Sequence, residues 1–239
     1  MSTTQNRQAF FHDISSALGR QQIPDHVEPL DLSKGPQYKL MTGMSHDERV
    51  EAFKKECNTL AIKFRETDKN DLANNLMAVI REYGGGKIIY PQVNEITEFH
   101  LDTVFQENQG RDGLNFVAWD HSKGSEYNIT HAENANIGVT FPLMAIAETG
   151  TIIQPASIGS GRSVGLLPLT HIAVLRRSTI LPRMTQTMKA LARHYHEDPE
   201  LFPSLLVHIS GPSSTVDIEL VRVVGVHGPI NVTYIILND

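Results

Sequence analysis

Three stretches of the sequence concentrate the residue types from which a polar site is built. In Ala145-Ile146-Ala147-Glu148-Thr149-Gly150-Thr151, one carboxylate sits between apolar runs. An ionised carboxylate is costly to bury alone, so Glu148 requires a partner, a raised pKa or a place at a cavity. As chemistry it offers a general base or a substrate-binding group at a strand end. As structure it offers a rim residue held by the N–H groups of the turn. In Ile158-Gly159-Ser160-Gly161-Arg162-Ser163, a cation and two hydroxyls share a glycine-rich loop. Backbone N–H groups and Arg162 can converge there on a phosphate or carboxylate. An isolated Gly-X-Gly suits an exposed hairpin loop equally well. His171 follows Pro168-Leu169-Thr170 at the mouth of a strand.

The third stretch is His208–Pro229, which the rest of the chain is expected to present. An apolar strand stops at Ser210-Gly211-Pro212, where Gly211 can take a backbone conformation that other residues avoid. Ser213, Ser214, Thr215 and Asp217 follow, rich in hydroxyl and carboxylate oxygens. Two of them can cap a short helix and leave N–H groups facing an anion or polar ligand. Read as a strand, the same segment puts Asp217 and Glu219 on one face. Gly225-Val226-His227-Gly228-Pro229 closes it with a second tight turn. A plain loop–helix–loop connector has the same signature.

Several chemistries are absent. No two of the eleven histidines show zinc spacing, and His194 and His196 would face apart on a helix. The single cysteine, Cys57, excludes an internal disulfide, a CxxC redox pair and a cysteine-ligated iron–sulfur cluster within one chain. It lies in the helical pattern KKECNTLAIKF, as a structural thiol would. Gly84-Gly85-Gly86 follows a helix and opens a strand, the reverse of a phosphate loop. Serine-hydrolase elbow, Walker and dinucleotide motifs do not occur. No metal and no cofactor are therefore expected on this chain. A net charge of −6 gives no general attraction to nucleic acid or an anionic membrane. With no leader-like apolar core and no membrane-length run, a soluble, cytoplasmic protein is expected.

The elements that must position these residues follow from periodicity. At 239 residues and 40% hydrophobic content the chain can bury a substantial core. Residues 5–19 form an amphipathic helical pattern, and residues 20–44 an extended Pro- and Gly-bearing arm. Ser45 with Glu48 makes a capping box for a helix running to about residue 66. A second helix covers 67–81, stopped by the triple glycine. Strands at 88–90 and 116–119 alternate with helices near 99–106 and 123–133, which implies parallel strands joined by crossovers. Then come short strands at 137–140, 143–147, 151–154, 165–168 and 172–174. A helix at 180–196, a strand at 205–209 and a final apolar strand at 231–237 complete the pattern.

Taken together, AIAETGTIIQ, GSGRSVGLLPLTHIAVL and HISGPSSTVDIELVRVVGVHGP resemble the LUD-domain family over roughly residues 45–238. The resemblance implies an α/β fold like that of sugar-phosphate isomerases and CoA transferases. That fold is a sheet core with helices on both faces and an inserted β-rich piece. Residues 1–44 would then be an N-terminal helix and arm, and residues 45–239 the LUD domain. The resemblance also implies a part in oxidising L-lactate to pyruvate beside iron–sulfur partner proteins. This chain would be their non-redox accessory or assembly subunit; an isomerase- or transferase-type enzyme using Glu148 on a small anionic substrate is the other reading. By position in the matching motifs, one cleft would gather Glu148, as the candidate catalytic residue, with Thr149, Gly150, Gly161, Arg162 and His171. From the last motif it would add Ser210, Gly211, Ser213, Ser214, Asp217, Glu219 and His227.

Overall fold

The computed structural model describes residues 4–23, 26, 28–29, 31, 35–216, 222–225 and 227–239. The chain divides into two compact units, Met1–Lys39 and Leu40–Asp239. The first contains α1 (Thr4–Ala17), close to the helix that the periodicity predicts.

The second unit opens with α2 (His46–Thr59), whose start is fixed by local chemistry. Ser45 Oγ accepts the Glu48 N–H at 3.2 Å, and the Ser45 N–H donates to the Glu48 carboxylate at 2.7 Å. This reciprocal box satisfies two donors that a helix start leaves open. Val50, Phe53 and Cys57 form its buried stripe. The chain continues through β1 (Lys63–Asp68), α3 (Leu72–Glu82), β2 (Lys87–Tyr90), α4 (Asn94–Glu98) and α5 (Leu101–Asn108). Next come β3 (Asn115–Ala118), α6 (Gly124–Glu133), β4 (Ile137–Thr140), β5 (Met144–Ile146) and β6 (Thr151–Pro155). Then follow α7 (Ser163–Leu166), β7 (Thr170–Arg176), β8 (Ile180–Leu181), α8 (Met184–His194) and β9 (Leu206–Ile209). The last three strands are β10 (Ser214–Val216), β11 (Arg222–Val224) and β12 (Asn231–Asn238).

Six strands form one sheet in the order β1-β12-β7-β4-β2-β3, with every neighbouring pair parallel. The apolar C-terminal strand β12 thus lies inside the sheet, between β1 and β7. Both faces are covered, as a parallel sheet requires. On one face Ile88, Val139, Ile172, Val174 and Ile235 pack with residues of α3, α4 and α5. On the other, Ala173, Leu175, Tyr234 and Ile236 pack with α2 and with a second, four-stranded sheet of order β8-β5-β6-β9. Helices α6 and α7 join Ile89 on that same face through Ala132 and Val164. The fold is therefore α/β, with helices on both faces and a β-rich piece set against one of them. Among the described residues, no helix is long and apolar enough to cross a membrane.

Five expectations are corrected. Residues 60–66 do not continue α2: the helix turns out at Ala61, whose φ is +59°, and the chain enters edge strand β1. Leu60 and Phe64 keep a helical spacing from Phe53 and Cys57, so periodicity alone could not separate the two. Correspondingly, the second helix starts at Leu72 rather than residue 67, and residues 63–68 pair with β12. Residues 165–168 are not a strand, because Ser163–Leu166 is the short helix α7. Residues 180–181 are strand β8 rather than a helix start, and α8 begins only at Met184, beyond Pro182. The hydroxyl-rich part of the third stretch forms an antiparallel hairpin, β10 with β11, rather than a short capped helix. Its β-branched Thr215, Val223 and Val224 favour that outcome.

Candidate functional site

Beside the β12–β7–β4 region, a cavity of about 240 Å³ lies on the face that carries the second sheet. Its walls are Gly165 and Leu166 of α7, His171 of β7, Ile209 of β9, and Gly211, Ser213, His227, Gly228 and Pro229 from the following turns. Four of the residues nominated from sequence, His171, Gly211, Ser213 and His227, therefore meet around one space. Backbone bonds build this meeting. Ser213 N–H donates to Pro229 C=O at 2.9 Å, and Gly225 N–H donates to Ser213 C=O at 2.8 Å, so the two Gly/Pro turns are laced together. Gly211 has φ +83° and passes close to Leu60 and Ile62, a position where a side chain would be strained. Ser213 Oγ accepts the His227 N–H at 3.4 Å.

His171 is the chemically distinctive member. It is wholly buried, and its Nε2 lies 2.7 Å from Thr140 Oγ1. Burial disfavours the imidazolium and pushes its pKa down to about 4, so the ring is neutral at pH 7. Nδ1 is buried too and has no hydrogen-bond partner among the described residues. Gly165 makes room for this ring: a β-carbon there would lie 3.2 Å from both His171 Nε2 and Thr140 Cγ2.

Of the other nominated residues, those that are described do not line this cavity. Glu148 is bound by Arg183, whose Nε donates to Glu148 Oε2 at 2.8 Å, with side chains 35% and 19% exposed for Glu148 and Arg183. The carboxylate raises the arginine's pKa further through that bond. Its backbone N–H is also taken, by Pro182 C=O at 3.0 Å. Thr149 belongs to a hydroxyl chain: Thr149 Oγ1 lies 2.6 Å from Thr151 Oγ1, which lies 2.7 Å from Ser210 Oγ. Gly150 C=O accepts from Tyr234 Oη at 3.5 Å. Gly161 packs flat on Trp119, whose ring a β-carbon would strike, and Trp119 Nε1 donates to Ile158 C=O at 3.1 Å. This glycine is there for a close approach to an indole. Arg162 and Ser214 are exposed, Ser214 within the β10–β11 hairpin. Asp217 and Glu219 lie outside the described residues.

Sequence reasoning overlooked Thr140, Leu166, Ile209 and Arg183. Thr140 and Ile209 read as ordinary strand residues, and the only warning of Arg183 was that Glu148 required a partner. Cys57 is fully buried, and desolvation pushes its thiol up to about 12, with Glu56 adding to the shift.

Comparison with known proteins agrees with the motifs. The family model described as the LUD domain matches residues 50–237. A protein named lactate utilization protein C from Macrococcus caseolyticus is 39% identical over 237 residues, covering 99% of this chain and 98% of its own. The protein of the same name from Bacillus subtilis is 37% identical with the same coverage. In three dimensions the chain is similar to a DUF162 family protein from Deinococcus radiodurans. The TM-score is 0.54 at 20% identity, covering 81% of this chain and 99% of that one, a likeness of fold alone. The extent of the family match and the end-to-end relatives together establish that the chain belongs to the LUD-domain family.

Proposed function

We propose that this chain serves L-lactate utilization as a non-redox accessory or assembly subunit, acting with iron–sulfur partner proteins that carry the electrons from lactate to an acceptor. The observation that carries the reading is its end-to-end similarity to relatives named lactate utilization protein C, at 37–39% identity. The lone, buried and protonated Cys57 agrees with a chain that holds no cluster of its own. The Glu148–Arg183 ion pair favours this reading over an isomerase- or transferase-type enzyme. A nucleophilic or basic carboxylate must reach its substrate, and Glu148 is instead occupied by a neighbouring cation.

The experiment is anaerobic reconstitution of L-lactate oxidation from the cluster-loaded partner proteins, with and without the full chain. Pyruvate formation that rises with this chain until a fixed molar ratio is reached supports a subunit. Saturation at trace amounts would instead make it a catalyst, and pyruvate formed equally well without it would sink the required role.

A further inference from the structure

We propose that the cavity walled by His171, Ser213, Leu166 and Pro229 binds a small monocarboxylate, a 2-hydroxy or 2-oxo acid of roughly three or four carbons, with the His171 Nδ1–H as one of its hydrogen-bond donors. The choice among acids rests on the lactate-utilization reading; the donor chemistry and the size do not.

The proton can be placed on Nδ1 by satisfying Thr140. The residue is 1% exposed, and His171 Nε2 is the partner seen for its hydroxyl among the described residues. We assign the buried Thr140 O–H as the donor to the Nε2 lone pair at hand, which leaves the ring hydrogen for a ligand to satisfy. A neutral imidazole bonded in this way carries its hydrogen on Nδ1. That donor is buried, lacks a partner among the described residues, and belongs to a ring that lines the cavity. Ser213 supplies a second donor, because its oxygen accepts the His227 N–H and, among the described residues, its own hydrogen is left to give. Among the described residues, none that lines the cavity bears a carboxylate. Leu166, Ile209 and Pro229 add apolar wall for a short carbon chain. At about 240 Å³ the space falls below the roughly 300–1,000 Å³ of sites for drug-sized ligands and suits a compact acid.

The test titrates the purified full chain calorimetrically with L-lactate, pyruvate and inorganic phosphate. It adds nitrogen-15 histidine spectra to follow the His171 Nδ1–H, and repeats both on Ser213→Ala and Leu166→Phe after melting curves show each folded. We expect saturable binding of lactate or pyruvate, a shifted Nδ1–H resonance, and about tenfold or greater weakening in each variant. No saturable binding of either acid, tighter binding of phosphate, or affinities that both variants leave unchanged would overturn the proposal. Lactate oxidation that needs the chain while neither acid binds would remove this inference and leave the functional reading standing. Acid binding in a chain that lactate oxidation does not need would do the reverse.

Discussion

Thr140 Oγ1 and His171 Nε2 lie 2.7 Å apart in the interior, although the residues pair out of register across β4 and β7. The direct partner of His171 is Gly138, which has no side chain, so the ring bonds one pleat further along, to Thr140. This bond holds a neutral histidine at the wall of the cavity, and stability should report its neutrality.

The first prediction concerns pH. His171 has an unfolded pKa near 6.5 and a folded value of about 4, so between these values the unfolded chain binds the extra proton. Stability therefore rises with pH across this window, and is lost as pH falls from 6.5 toward 4, by up to about 3 kcal/mol. Asp47 and Glu82, held below the ordinary carboxylate range by Arg177 and by Arg65 with Lys63, respectively, add losses in the same direction only at lower pH. Urea unfolding at intervals from pH 7 to 4.5 measures the slope. His171→Gln should flatten it; an unchanged slope in a folded variant would contradict the assignment.

Glu148→Gln separates the two functional readings. It removes the charge that pairs with Arg183 but keeps the shape. For an accessory subunit, reconstituted lactate oxidation should change by less than about twofold, since a partly exposed ion pair contributes little. For an enzyme relying on Glu148 as base or nucleophile, the loss should be on the order of a hundredfold or more. The rate at saturating lactate, with partner binding checked by co-purification, decides between them.

How much of this was legible in the sequence depends on whether the cause was local. The Ser45–Glu48 box, the stop at Gly84-Gly85 and the alternation of strands and helices are written in neighbouring residues, and the structure has them. The cavity was half legible: His171, Gly211, Ser213 and His227 stood out because histidines, hydroxyls and Gly/Pro turns are unusual in a strand pattern. Leu166 and Ile209 did not, because an apolar residue lining a cavity looks like one filling a core. Edge strand β1 was hidden for a related reason. It is held by β12, 170 residues later for each pair from Lys63↔Thr233 onward, and by charges such as Arg65–Glu82 rather than by an alternating apolar pattern. Helix α7 was read as a strand because the contacts that fix it, with Gly138 and β4, are distant in sequence.

Cys57 should be inert in the folded chain. Its thiol is buried from solvent, and burial holds it protonated at neutral pH. Iodoacetamide labelling followed by mass spectrometry should proceed at least a hundredfold faster in denaturant than in buffer at pH 7.5. Comparable rates would show that α2 opens readily and that its stripe of Val50, Phe53 and Cys57 is not stably packed.

Gly138→Ala tests whether α7 is fixed by close approach to the sheet. A β-carbon at residue 138 would strike the Val164 carbonyl oxygen and press on Pro168 at 2.9 Å. The backbone of α7 cannot swing aside as a flexible side chain would, so the helix must shift or the strand must bend. Overpacking of this kind costs roughly 1–3 kcal/mol. The expected result is a lowered midpoint in urea with an unchanged slope, because the chain still folds but less stably. Since Gly165 and Leu166 wall the cavity, the same substitution should also weaken whatever binds there more than Ser45→Ala does, a change about 1 kcal/mol destabilising at the distant start of α2. Equal effects of the two substitutions on binding would mean that α7 is not held against β4 as the geometry requires.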